Sequence, residues 1–500
     1  MIDNLILGFT AALTLTNLLY ALGGAMLGTL IGVLPGLGPI ATIAMLLPSI
    51  YGLDALPALI MLAGIYYGAQ YGGSTTAILL NVPGESSSAV TALDGYQMAR
   101  KGRAGAALAT AALGSFFAGC VGTLIIAAFA PPLVQLAFQF GAHEYFALMV
   151  LGLVGAVVLA SGSLVKALAM IVLGVLIGQI NSDVMSGVAR FSFDRPELSD
   201  GIGFVVIAMG LFGFGEIIAN LAKPAEHREV FTKSVTGLWP TKDDFMQAWP
   251  AVLRGTALGS ILGVLPGGGA LLASFAAYTM EKRISKTPKR FGHGAIQGVA
   301  GPESANNSGA QTSFIPMLVL GIPPNAVMAL MIGAMTLKGI QPGPQVRTSN
   351  PELFWGLIAS MWIGNLMLVV LNLPLIGMWV KLLTVPYRLL FPAIVCFCCI
   401  GAYSINNNVF DVYMTAGFAA LGYVFHKLHC EPAPLLLGFI LGPMMEENLR
   451  RALRIARGDW SSFMQRPLAA GLLIAALLLL VIVMLPTVRK KREETFKEED

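Results

Sequence analysis

From Asn4 to Leu53 the chain carries no Asp, Glu, Lys or Arg, and the same absence recurs over Ala55–Gly84, Ala104–Ala142, Gly255–Met280, Ser304–Leu337, Leu353–Val380, Leu389–Phe410 and Pro467–Val488. A helix crosses the hydrocarbon core of a bilayer in about 20 residues, so every window is long enough for a crossing. Only 12% of the 500 residues are charged and 56% are hydrophobic, whereas soluble domains carry about 25% charge. The chain therefore reads as an all-α polytopic integral membrane protein. Its net charge of +4 sits in short loops between apolar runs, where it sets topology and forms no nucleic-acid surface. The opening MIDNLILGF holds Asp3 and no basic segment, so it lacks the form of a signal peptide, and Met1 is the expected start of the mature chain. Five cysteines, among them Cys396, Cys398 and Cys399, lie in apolar surroundings without a matching histidine set and read as buried, inert thiols.

The first window breaks itself. In GTLIGVLPGLGPIATIAMLLP, Pro35 removes a backbone donor while Gly36 and Gly38 ease bending. Broken backbone at membrane depth is tolerated only against protein or a water-filled cavity, which marks the break as part of a site. It also occurs twice: ALGGAMLGTLIGVLPGLG at 21–38 and VLRGTALGSILGVLPGGG at 252–269 share ten identities in eighteen positions. A second pair, YGAQYGGSTTAILLNVPG at 67–84 and SGAQTSFIPMLVLGIPPN at 308–325, opens on Gly-Ala-Gln and closes on a proline turn. The expected organisation is a first transmembrane repeat over 1–230, a second over 231–488 and a charged tail over 489–500.

Basic loops mark the cytoplasmic side: Arg100–Arg103, Lys223–Lys242, Lys282–Arg290, Arg450–Arg457 and the tail Arg489–Arg492. The acidic loop Asn181–Asp200 belongs opposite. One conflict stays open, because the 450–457 cluster and the tail cannot both be cytoplasmic if Pro432–Met445 crosses. On this reckoning the first Pro-Gly hairpin enters from outside and the second from the cytoplasm. Two inverted-topology repeats of this kind place broken or re-entrant hairpins at a shared midplane site.

Small polar residues cluster beside both breaks. The candidate substrate- or ion-binding set is Pro35, Gly36, Gly38, Gln70, Ser74, Thr75 and Asn81 in the first half. In the second half it is Pro266, Gly267, Gly269, Asn306, Asn307, Ser308, Gln311, Thr312 and Asn325. Amide and hydroxyl oxygens can replace the water around a cation, and helix N-termini can hold a carboxylate. Interhelical contact is the ordinary alternative for any one serine or threonine. Glu303 could serve as a gate, a proton acceptor or a solvated loop residue. Asp94, beside a basic loop, reads as a cap or a surface ion pair. Embedded cations are scarce, so an anionic substrate would rely on backbone dipoles and co-bound cations. No HExxH or GxSxG occurs, and GVLPGGGA lacks the Lys-Ser/Thr of a phosphate loop, so no enzyme or ATP-driven pump is indicated. A passive channel for small organic anions remains as an alternative.

GVLPGLGP, YYGAQYGGSTTAILLNVPGESSSAVTALDGYQMARKGRAG, PESANNSGAQTSFIPMLVLGIP and GPMMEENLRRAL resemble the large permease subunit of tripartite tricarboxylate transporters, the TctA family, over nearly the whole chain. The resemblance implies a multi-pass permease of the bacterial inner membrane. It would import citrate or related di- and tricarboxylates on a Na⁺ or H⁺ gradient, with no other cofactor. Its implied partners are a small TctB-like membrane subunit and a periplasmic TctC-like solute-binding protein. The sequence departs from the family at Pro324-Asn325, where many members have glycine followed by a small hydroxyl residue.

Overall fold

Within hydrocarbon each backbone polar group must be bonded inside its own segment, and the apolar windows, where they are described, form helices. The computed structural model describes residues 2–34, 38–159, 163–183, 186–199, 201–215, 217–218, 237–265, 269–382 and 406–484, with isolated positions between 392 and 403. The helices are α1 (Ile2–Ala12), α2 (Leu15–Val33), α3 (Pro39–Leu46), α4 (Ala55–Leu80), α5 (Ala89–Arg100), α6 (Ala104–Ala137), α7 (Ala142–Leu159), α8 (Leu164–Gly178) and α9 (Phe204–Ala208), which continues as a π-helical stretch, Met209–Phe214. There follow α10 (Lys242–Val264), α11 (Gly269–Ile284), α12 (Gln297–Thr312), α13 (Phe314–Leu320), α14 (Ala326–Leu337), α15 (Pro351–Asn372), α16 (Ile376–Leu382), α17 (Val409–Lys427), α18 (Ala433–Ile455) and α19 (Pro467–Met484). The strands among the described residues are two short ones, Asn181–Ser182 and Ala189–Arg190, paired antiparallel. Among the described residues three helices, α2, α6 and α15, are long and apolar enough to cross a membrane by length and composition.

Glycine sets close helix contacts, and two of these interfaces are built alike. A methyl on Gly24, Gly28 or Gly32 of α2 would overlap the carbonyl oxygens of Met61, Ile65 and Ala69 on α4. A methyl on Gly255, Gly259 or Gly263 of α10 would overlap those of Gly301, Ala305 and Gly309 on α12. Small residues at four-residue spacing let membrane helices approach backbone to backbone, where dispersion contacts replace the missing hydrophobic drive. A hydroxyl closes each pair: Thr76 Oγ1 donates to the Gly32 carbonyl at 2.9 Å and Ser313 Oγ to that of Gly263 at 3.1 Å.

These contacts fix a register that differs slightly from the sequence match. The carbonyl partners on α4 and α12 lie 240 residues apart, one fewer than alignment on Gly-Ala-Gln gives. Gln70 and Gln311 therefore do not occupy equivalent places. The same interval relates the helix ends. Asn81 closes α4 with φ 57° and Gly321 closes α13 with φ 71°, both in the left-handed region that Gly and, less often, Asn adopt after a helix. Pro83 and Pro323 follow, and new helical turns open at Ser86 and Ala326. The breaks at Pro35, Gly36, Pro266 and Gly267 lie outside the described residues; Gly38 and Gly269, just past them, are described.

One topological expectation is corrected. The acidic loop 181–200 and the basic cluster 450–457, placed on opposite sides above, meet each other. Arg450 pairs with Asp183 at 2.9 Å and with Glu446 at 2.7 Å, and Arg190 pairs with Glu446 at 2.8 Å. Arg466 likewise reaches Glu144 at the start of α7, at 3.3 Å.

Candidate functional site

A cavity of about 450 Å³, within the range of ligand sites, is lined by the residues just past the two breaks, Gly38 and Gly269. Both halves line it at matched positions: Gly38 and Gly269, Ile40 and Leu271, Gly84 and Pro324, Glu85 and Asn325, Ser86 and Ala326. Tyr66, Ala156, Phe212, Glu431 and the start of α18 complete the wall.

Five helical starts converge on this cavity: α3 at Pro39, the 3₁₀ turn Ser86–Ser88 running into α5, α11 at Gly269, α14 at Ala326 and α18 at Ala433. The first N–H groups of a helix have no partner within it, and together with the helix dipole they favour an anion. The caps of α3, of the 3₁₀ turn and of α18 make no side-chain hydrogen bond, although Pro39 and Pro434 carry no N–H and the Ser88 N–H is bonded to the Glu85 carbonyl at 3.1 Å. Asn325 is different. Its Oδ1 accepts from the Met328 N–H at 3.0 Å, capping α14, and its Nδ2 donates to Ser313 Oγ at 3.3 Å. No lysine or arginine is among the described lining residues, whereas two carboxyl groups, Glu85 and Glu431, are.

A second polar region is buried behind the cavity. Glu303, 1% exposed on α12, receives hydroxyls from three other helices or turns. Ser74 Oγ lies 2.6 Å from its Oε2, Thr91 Oγ1 donates to Oε1, and Ser115 Oγ stands 3.5 Å from Oε2. Asn307 Nδ2 donates to Ser115 Oγ at 2.7 Å and to its own helix at the Glu303 carbonyl, 3.0 Å away. Asp94 anchors the entry to α12: it is fully buried and accepts from the N–H groups of Gly294 and Ala295, at 2.7 and 2.8 Å, and from Tyr278. It is a cap, applied across elements, rather than a surface charge.

The expected site residues thus separate. Gly38, Gly269 and Asn325 line the large cavity. Ser74 and Thr75 line a much smaller one with Tyr71, Ser115 and Asn372. Asn306, Asn307, Ser308, Gln311, Thr312 and Gln70 are buried in the helix interior. Ser308 and Thr312 bond carbonyls of their own helix, at 3.3 and 3.0 Å, on the face that meets α10, a structural use of hydroxyls. Gln70 and Asn306 are fully buried, and neither atom of either amide has a hydrogen-bond partner among the described residues. Asn81 serves the turn. The cavity also recruits Tyr66 and Glu431, which the sequence did not single out, together with Glu85 and Ser86 from the polar stretch that follows Asn81. Glu431 comes from a distant part of the chain and left no local signal.

The profile described as "Tripartite tricarboxylate transporter TctA family" matches residues 18–437. A protein of Agrobacterium vitis described as "Uncharacterized 52.8 kDa protein in TAR-I ttuC' 3'region" is 62% identical over 500 residues, covering 100% of this chain and 99% of that relative. A second Agrobacterium vitis protein, "Uncharacterized protein in TAR-II ttuC' 3'region", is 64% identical over 242 residues, 48% of this chain and 100% of the relative. No solved structure matches the chain.

Proposed function

Because the chain belongs to the tripartite tricarboxylate transporter TctA family, whose members are the large membrane subunits of tripartite transporters, we propose that it imports citrate or a related di- or tricarboxylate into a bacterial cell across the inner membrane, driven by a Na⁺ or H⁺ gradient. The family works as a complex with a small membrane subunit and a periplasmic binding protein. In this reading the binding protein, TctC-like, delivers the anion, and the small TctB-like subunit accompanies the permease. The chain divides into repeats over 1–230 and 231–488, in inverted orientation, with the tail 489–500 beyond them.

The observation that carries the reading is the convergence of five helix starts on one cavity built equally from both halves. Free N–H groups suit carboxylate oxygens, and a site shared between repeats can be opened to either side by moving one against the other. Glu85 adds a condition. A polyanion entering beside this buried carboxyl group is repelled unless positive charge enters with it, as a proton on that group or as a co-bound cation. That electrostatic requirement supports coupling to a cation.

The test is uptake of labelled citrate and smaller carboxylates into vesicles holding this chain and its small partner. It is run with and without the binding protein, under imposed sodium or proton gradients. Accumulation above equilibrium that depends on the binding protein is expected. Passive equilibration that ignores the binding protein would overturn the reading and favour a channel.

A further inference from the structure

We propose that the small cavity between α4, α6 and α15 is a sodium-ion site whose charge is balanced by Glu303. Its role in coupling rests on the transport reading above; its ability to bind the ion does not.

The cavity has room for a body the size of one water molecule. Five oxygen-bearing side chains line it: Tyr71, Ser74, Thr75, Ser115 and Asn372, against a floor of α6 alanines. Two of those oxygens have no hydrogen-bond partner among the described residues, although both side chains are only 4% exposed: the Tyr71 hydroxyl and Asn372 Oδ1. The Asn372 amide is held in one orientation. Its Nδ2 donates to the Leu368 carbonyl at 2.9 Å and faces Thr29 Oγ1 at 3.4 Å, which leaves Oδ1 as the uncommitted end. Leaving buried polar oxygens unbonded is costly, so a group that accepts their lone pairs is called for.

Charge decides which group. Ser74 and Ser115 line the cavity and also touch the Glu303 carboxylate, at 2.6 and 3.5 Å. Ser74 has one proton and two acceptors, the Gln70 carbonyl at 2.9 Å and Glu303 Oε2. Its lone pairs stay available whichever acceptor it serves. Ser115 receives its hydrogen bond from Asn307 and keeps its own proton for Glu303. Among the described residues no basic side chain forms an ion pair with Glu303. A buried carboxylate without a cation is a functional group awaiting one. The donor set is all oxygen, which suits a hard ion, and a single carboxylate balances a single positive charge, which disfavours calcium or magnesium. A proton on Glu303 would neutralise the acid but leave the Tyr71 and Asn372 oxygens unserved, so sodium accounts for more of the geometry.

The experiment uses the purified full chain in detergent. Its unfolding temperature is measured in sodium chloride against potassium and choline chlorides of equal ionic strength. A sodium-specific rise is expected, because a ligand that binds only the folded state stabilises it. In Glu303→Gln and in Asn372→Ala the half-saturating sodium concentration should increase by about 10–100-fold, the usual effect of removing a group that supports an ion's ligands. Asn372→Ala carries the test if Glu303→Gln fails to fold. Absence of a sodium-specific rise, or a rise that survives unchanged in both variants, would overturn the site. Vesicle uptake separates the two proposals. Proton-driven accumulation with no sodium-specific stabilisation removes the sodium site and leaves the transporter; sodium stabilisation without any accumulation leaves the site and removes the transporter.

Discussion

Gln70 and Asn306 are each 0% exposed, and neither amide finds a hydrogen bond among the described residues. A buried unsatisfied polar group costs about 1–3 kcal/mol, so these side chains weaken the fold they sit in. Residues kept at such a cost are best explained by what they do in another conformation or with a ligand. We expect Gln70→Met and Asn306→Leu to hold or raise thermal stability, by about 1 kcal/mol, while uptake falls steeply. Loss of both stability and uptake would make them structural. Asp94 is the opposite case. Its carboxylate satisfies two N–H groups at the entry to α12, so Asp94→Asn should lower stability by about 1–3 kcal/mol, read from thermal unfolding in detergent. The effect should reach uptake as well, since α12 carries Glu303 and Asn307.

Helix against helix, the decisive variable is whether a glycine faces a neighbour's backbone. Gly23 and Gly24 are adjacent on α2, yet a methyl on Gly23 meets nothing within 4 Å whereas one on Gly24 overlaps the Met61 carbonyl. Gly23→Ala should therefore be neutral or slightly stabilising, by at most about 1 kcal/mol. Gly24→Ala should cost about 1–3 kcal/mol or more, because two backbones must part. Comparing the yield of folded protein and the unfolding temperatures checks the pair; equal effects would refute the contact. The stretch that carries these glycines stood out in the sequence because it occurs twice, but its backbone-to-backbone contact was not legible there, since that depends on which neighbour each glycine faces. The cluster around Glu303 was only half legible. Its polar residues stood out on α12, but the hydroxyls that reach it, Ser74, Thr91 and Ser115, come from places about two hundred residues away, and no spacing rule links them. Ser308 and Thr312 show a related limit: composition marks a hydroxyl, and only the neighbouring helix shows that it faces backbone.

Taken whole, the molecule brings distant parts of the chain together. The ion pairs of Arg450 and Arg190 hold the loop at 181–190 against the end of α18, so those two regions share one side. Cysteines replacing Val188 and Ile455, each 62% exposed, should react with a membrane-impermeant thiol reagent from the same face. Labelling from opposite faces would break this arrangement. Cysteines replacing Ile40 and Leu271, matched positions on the cavity wall, should both be shielded by a bound carboxylate. Shielding of one alone would remove the shared site. A further consequence concerns inheritance. Where main-chain N–H groups do the recognising, replacing one amino acid by another generally leaves the recognising atom in place, and the exception is proline, which deletes it. The cavity holds Pro39, Pro83, Pro324 and Pro434; Pro324 stands where the other half has Gly84, and Pro39 where the other half has Ala270. Each half of the site thus lacks a donor that the other keeps. Descendants of this gene should drift freely at most wall positions and change their taste in anions chiefly by gaining or losing a proline there.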